Sequence, residues 1–184
     1  EEPPAQTILL LTAHDRSSVL PTIASRCQVI ELRPLDIPTA EQALRTGWAA
    51  SPEQAALLAR LSGGRLGWAV DQLRDPERSR QRNETLQTLW RLMASGPLDR
   101  LEFADSLAGD RNSRQLFGLI EMWTSWWRDL LLVQVNCADA CSNIDHQVEL
   151  ERQARLLDQQ RVRRFVHTLQ RIERYLHHTV NTRL

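Results

Sequence analysis

Lysine is absent from this chain; all 23 basic residues among its 184 are arginine. A phosphate-binding loop of the form G-x-x-x-x-G-K-[ST] is thereby excluded, because no residue can supply the ammonium that reaches the outer phosphates. Without that cradle and an acidic partner for magnesium, the chain has no nucleotide site of its own. The arginine-only usage reads as a bias toward GC-rich codons rather than a demand for guanidinium chemistry, although arginine does suit phosphate oxygens.

Other absences narrow the class further. No uninterrupted apolar run reaches the eighteen or so residues of a membrane span. The closest approach, Leu116 to Val135, is interrupted by Glu121, Arg128 and Asp129. The 23 acidic residues cancel the 23 arginines, so no strong global field points to nucleic acid or membrane. Cysteine is sparse: Cys27, Cys137 and Cys141 are an odd count without a secreted framework's spacing, and fit free thiols in a reducing cytoplasm. Cys137-x3-Cys141, with Asp139 and His146 nearby, lacks both a fourth ligand at suitable spacing and a C-x-x-C pair, so no metal is expected. The opening Glu1-Glu2-Pro3-Pro4 is neither a signal peptide nor a methionine start and reads as the edge of an excised piece.

What is present begins with a short apolar run, Thr7 to Thr12, which predicts a buried strand. Val19 to Ala24 predicts a short helical turn with Ser17 or Ser18 as N-cap. Gln28 to Leu32 alternates as a second strand, stopped by Pro34. Two strands and one turn do not make a self-sufficient sheet, so they read as the tail of a larger α/β domain. From Asp36 onward the pattern is helical. Thr39 is the expected cap of a helix ending near Trp48, Ser51-Pro52-Glu53 opens a second helix closed by Ser62-Gly63-Gly64, and Leu66 to Leu73 forms a third. Asp75-Pro76 marks a boundary. Longer helices follow over about Pro76 to Ala94, Leu98 to Ala108, Ser113 to Asn136 and Asp158 to Arg183, with a polar loop over Ala138 to Gln147.

Three local patterns then combine. Ser25-Arg26-Cys27 lies between the short turn and the second strand; Gly64-Arg65-Leu66-Gly67-Trp68-Ala69-Val70 spans the Gly-rich joint; Trp127-Arg128-Asp129-Leu130-Leu131-Leu132 lies in a long helix. In this order the chain resembles the clamp-loader family of AAA+ ATPases, from the end of the ATPase core to the C-terminal collar. Within that family it is most similar to the delta-prime subunits of bacterial DNA polymerase III. Gly67 stands where the ATP-hydrolysing gamma/tau relatives carry the sensor-2 arginine, and Arg128-Asp129-Leu130-Leu131 resembles a segment of the delta-prime collar. Asn181-Thr182-Arg183-Leu184 resembles the start of the family's final motif.

The resemblance implies a mainly α fold: a short β remnant of an AAA+ core over 1–35, a three-helix lid over 36–75 and a helical collar for oligomerisation over 76–184. It implies that Arg26 is an arginine finger acting in trans, with Ser25 and Cys27 as motif support, and that Thr12 occupies sensor 1 in a vestigial role. ATP and magnesium would belong to neighbouring subunits, and the chain by itself would not be an enzyme. The implied partners are gamma/tau and delta subunits, the sliding clamp indirectly, and primer-template DNA through the complex, in a cytoplasmic replisome without membrane contact. The competing readings are a degenerate gamma/tau-type subunit and a stand-alone arginine-rich nucleic-acid-binding helical domain, the latter disfavoured by zero net charge. Alone, Arg26 would read as a surface salt-bridge residue; Trp123, Trp126 and Trp127 read as core or subunit contacts, Arg74, Arg78, Arg80 and Arg82 as a solvated face, and His177-His178 as a helix-end pair.

Overall fold

The computed structural model describes residues 7–13, 19–109 and 113–177, and the chain divides into two compact units, 1–33 and 34–184. Among the described residues there is no strand. The expected β remnant is therefore corrected for both Thr7 to Thr12 and Gln28 to Leu32, which are extended chain without a ladder. A strand satisfies its backbone groups only through a neighbour, and neither segment has one. Ile8, Leu9, Leu10 and Leu11 are accordingly all exposed, as are Val29, Ile30 and Leu32. The only regular element among the described residues of this unit is α1, Pro21–Ala24, which starts later than the sequence pattern suggests. Proline's fixed φ preorganises its first turn, Leu20 occupies the N-cap without a side-chain bond, and Ser17 and Ser18 lie outside the described residues.

The second unit opens with α2 (Ile37–Trp48), α3 (Pro52–Ser62) and α4 (Leu66–Arg74). The cap of α2 is Asp36, not Thr39: the Asp36 carboxylate accepts the Thr39 N–H at 2.8 Å and its hydroxyl at 3.0 Å. Those bonds hold the Asp36 carboxyl below its ordinary range, the Thr39 backbone N–H being the larger cause. Ser51 and Gln54 close a reciprocal capping box at the start of α3. Ala40, Leu44, Ala55, Leu58, Ala59, Ala69 and Val70 form the shared core of the three helices, where four alanines allow close approach.

The joint between α3 and α4 runs through Gly63 and Gly64, both at positive φ. At Gly64 (φ +82°) an added Cβ would lie 1.8 Å from the Leu35 carbonyl oxygen, so only glycine lets the incoming chain pass. Leu35 N–H donates to the Gly64 carbonyl at 3.0 Å across that contact.

Beyond Asp75, which caps the next helix through Glu77 N–H, come α5 (Pro76–Ala94), α6 (Pro97–Gly109), α7 (Ser113–Gln134), α8 (Gln147–Leu156) and α9 (Gln159–His177). The long loop between α7 and α8 holds two 3-10 turns, 138–140 and 144–146. Central α7 packs against α5, α8 and α9. Leu86, Leu89, Ile120, Trp126, Trp127 and Leu130 meet Leu150, Val162, Val166 and Leu169 in one core. Fully burying each large apolar side chain contributes roughly 1.5–3 kcal/mol, so this core outweighs any single polar contact. Trp90 packs on Trp126 with ring centroids 5.2 Å apart, and Trp127 on Phe165 at 4.3 Å. Two arginines tie the three-helix module to the bundle: Arg60 donates to the Asp139 and Cys141 carbonyls, and Arg65 to Glu121 at 2.7 Å. No helix among the described residues is long and apolar enough to cross a membrane.

Candidate functional site

Ser25-Arg26-Cys27 forms the exit of α1. The turn is made by successive backbone bonds: Ser25 N–H to the Pro21 carbonyl at 3.0 Å, Arg26 N–H to Ile23 at 3.0 Å, and Cys27 N–H to Ala24 at 3.4 Å. The Ser25 hydroxyl donates to the Thr22 carbonyl at 3.2 Å. Its proton is thus engaged in holding the turn, a supporting role rather than that of a nucleophile. Arg26 is fixed in its backbone but exposed in its side chain, which has no hydrogen bond or ion pair among the described residues. A guanidinium held this way keeps all five donors available to an incoming anion. Cys27 is exposed and carries a free thiol.

Thr12 is exposed in the extended segment 7–13, and no hydrogen bond joins it to the Ser25-Arg26-Cys27 turn. The structure brings Ser25, Arg26 and Cys27 together through the turn itself. Gly67 lies in the first turn of α4, where an added Cβ would meet no heavy atom within 4 Å.

A second polar centre, which the sequence reading did not single out, lies in the bundle. Asp129 is completely buried in α7, and its Oδ2 accepts Ser142 N–H, Asn143 N–H and the Asn143 side-chain amide, each at 2.8 Å. Arg128 binds its other oxygen at 3.0 Å and the Ser142 hydroxyl at 2.6 Å. From α5, Arg82 forks onto Asp145 at 2.6 and 3.1 Å and reaches Asn143 Oδ1 at 2.7 Å. His146 meets Asn83 at 3.2 Å and sets its ring edge-on to Trp90, with centroids 5.3 Å apart. The available signal was Asp129 itself, a carboxylate on the apolar face of α7. Buried charges of this kind persist only when fully hydrogen-bonded. Desolvation, with the nearby Asp129 charge as the next cause, pushes the buried Cys141 thiol from 9.0 up to about 11. Among the described residues no three His, Cys, Asp or Glu side chains are grouped to hold a metal ion.

This bundle node is architecture: its carboxylate and amide contacts fix the loop between α7 and α8. Arg26, by contrast, is an open cation among the described residues of the first unit. Residues 1–36, which contain both Thr12 and Arg26, match the family described as DNA polymerase III, delta subunit. That stretch is therefore similar to clamp-loader-type subunits of DNA polymerase III. No curated protein and no solved structure matches the chain.

Proposed function

We propose that this chain is part of the delta-prime subunit of the DNA polymerase III clamp loader, a non-hydrolysing AAA+ subunit that offers Arg26 to ATP bound by a neighbour. The observation that carries the reading is Arg26 itself: a backbone-fixed, exposed arginine, without a partner among the described residues, within the stretch similar to the polymerase III delta-subunit family. In this reading 1–35 ends the ATPase core, 36–75 is the AAA+ lid, and 76–184 is the collar that joins gamma/tau and delta subunits in a ring. Gly67, without a cationic side chain at the sensor-2 position, fits a subunit that does not hydrolyse ATP.

In phosphoryl transfer, charge grows on the γ-phosphoryl oxygens, and a guanidinium supplied by a neighbour stabilises it. ATP and magnesium belong to the neighbouring subunit, whose cycle opens the sliding clamp and loads it at primed DNA. This chain contributes position: the Ser25 turn sets the direction of Arg26, and the collar sets its distance. Thr12 at sensor 1 is vestigial.

Steady-state ATPase of the reconstituted loader with the complete subunit tests the role. Arg26→Ala is expected to assemble normally and to lower clamp-stimulated hydrolysis. Fingers are worth about three to five powers of ten at their own site, and the other interfaces of the ring keep theirs, so the drop in total turnover is smaller. Arg26→Lys restores little, since a point charge does not reproduce the planar fork. Wild-type turnover in an assembled Arg26→Ala complex refutes the finger role.

A further inference from the structure

The chain's zero net charge hides an uneven distribution of arginine. Elsewhere in the second unit many arginines are engaged: Arg65 with Glu121, Arg82 with Asp145, Arg128 with Asp129, Arg152 with Glu149. On α9 the pattern reverses. The side chains of Arg161, Arg163, Arg164 and Arg171 are exposed and make no hydrogen bond or ion pair among the described residues. Arg174 reaches only the carbonyl of Gln170, one turn back, at 3.4 Å.

Helical geometry gathers these charges on one side. Val162, Val166 and Leu169 face the core, and at 3.6 residues per turn Arg164, His167, Arg171 and Arg174 run along the opposite side. Glu173, the one acid in α9, falls on the core side and is half-buried. The exposed side is therefore cationic without an internal counter-charge. At 1.5 Å per residue, Arg161 to Arg174 covers roughly 20 Å of axis, along which a DNA duplex presents about one charge every 1.7 Å. Zero net charge does not cancel such a face, because at about 0.1 M salt a ligand senses only charges within roughly 10 Å.

The chemistry of the face selects the ligand. Insertion into a lipid surface needs a broad row of free apolar side chains, whereas α9 commits Val162, Val166 and Leu169 to the bundle core and exposes only Ile172 and Tyr175 among its described large apolar residues. A protein interface needs an apolar centre, whereas Gln160, His167, Thr168 and Gln170 flank these arginines and the one exposed ring beside them, Tyr175, lies at the far end of the row. Guanidinium groups interleaved with amides and a hydroxyl are the donors that hold phosphate oxygens. We propose that the exposed face of α9 binds the phosphate backbone of double-stranded nucleic acid without reading its sequence. This contact goes beyond the arginine-finger reading and does not depend on Arg26.

The test is fluorescence anisotropy of a labelled mixed-sequence DNA duplex with the full chain, titrated at several salt concentrations. Arg164→Gln/Arg171→Gln/Arg174→Gln is compared with Arg45→Gln/Arg74→Gln/Arg91→Gln, which removes equal charge from exposed arginines elsewhere, both confirmed folded by circular dichroism. The α9 variant should bind at least about tenfold more weakly at low salt, and the slope of log K against log salt should fall by about two to three, near 0.9 per lost phosphate contact. The control variant should keep most of both. Absence of duplex binding by the wild-type chain at about 50 mM salt overturns the proposal, since phosphate contacts are strongest there. So do equal losses in the two variants, tighter binding to a single strand with the same number of phosphates, or tighter binding to phosphatidylglycerol vesicles or polyglutamate at matched charge.

Discussion

Asp129 Oδ2 accepts both the backbone N–H and the side-chain amide of Asn143, each at 2.8 Å, so one oxygen on α7 fixes a residue fourteen positions later. With the Ser142 N–H bound to the same oxygen, the carboxylate orders the loop between α7 and α8 much as a cap residue orders a helix end.

Asp129→Ala leaves these buried donors unpaired and is expected to cost about 3–5 kcal/mol, the penalty for removing one member of a buried charged network. Asp129→Asn retains an acceptor and should cost less. Urea unfolding followed by tryptophan fluorescence reads both, because Trp126 and Trp127 lie in the same core. Equal, near-zero losses would exclude an organising role for the carboxylate.

Gly63 and Gly64 both have positive φ, yet they should respond differently to alanine. At Gly63 an added Cβ meets nothing within 4 Å, so only the left-handed conformation is penalised, by about 1–2 kcal/mol. At Gly64 the same methyl collides with the Leu35 backbone, and the loss should be clearly larger than at Gly63. Thermal unfolding of the two single variants makes the comparison directly.

The buried Cys141 thiol predicts a loss of stability in alkali. Its folded value is about 11, raised from 9.0, so the folded state holds the proton more tightly. The contribution is complete below pH 9.0 and is lost as pH rises through about 11. Two pH units correspond to about 2–3 kcal/mol. Cys141→Ala should flatten this limb of the stability profile relative to the wild type, measured by urea unfolding across the alkaline range.

Arg60 and Arg65 both link the three-helix module to the bundle, but with unequal weight. Arg65 and Glu121 are each about half exposed, so a double-mutant cycle should give under about 1 kcal/mol. Arg60 satisfies the carbonyls of Asp139 and Cys141, and Arg60→Met should cost more, about 1–2 kcal/mol. Reversal of that order would place the attachment on the surface ion pair.

Much of the helical layout was legible because its signals are local. Ser51 with Gln54, the Gly63-Gly64 stop and Pro76 mark their boundaries directly in sequence. The cap of α2 was misread because Asp36 and Thr39 are both competent oxygens; Pro38 in the first turn favours the earlier start. Helix α8 was overlooked because its buried stripe is only Leu150, Gln153 and Ala154, with a glutamine in the middle that Trp126 Nε1 satisfies at 3.0 Å. The strands failed for a different reason: apolar runs indicate a wish for burial, but a ladder also needs a partner. His178 and the last residues of the expected final helix lie outside the described residues, as does the side chain of His177. The Ser25-Arg26-Cys27 turn was legible as a motif, whereas the Asp129 centre depends on contacts between distant segments.

The thiols divide into two accessible handles and one sealed one. Cys27 is exposed in the first unit and Cys137 in the second, while Cys141 is buried. A maleimide dye pair would therefore attach once to each unit without removing any cysteine, and energy transfer between the dyes would follow the distance between units during a nucleotide cycle. With no lysine side chains to compete, the labelling chemistry stays confined to those sulfurs.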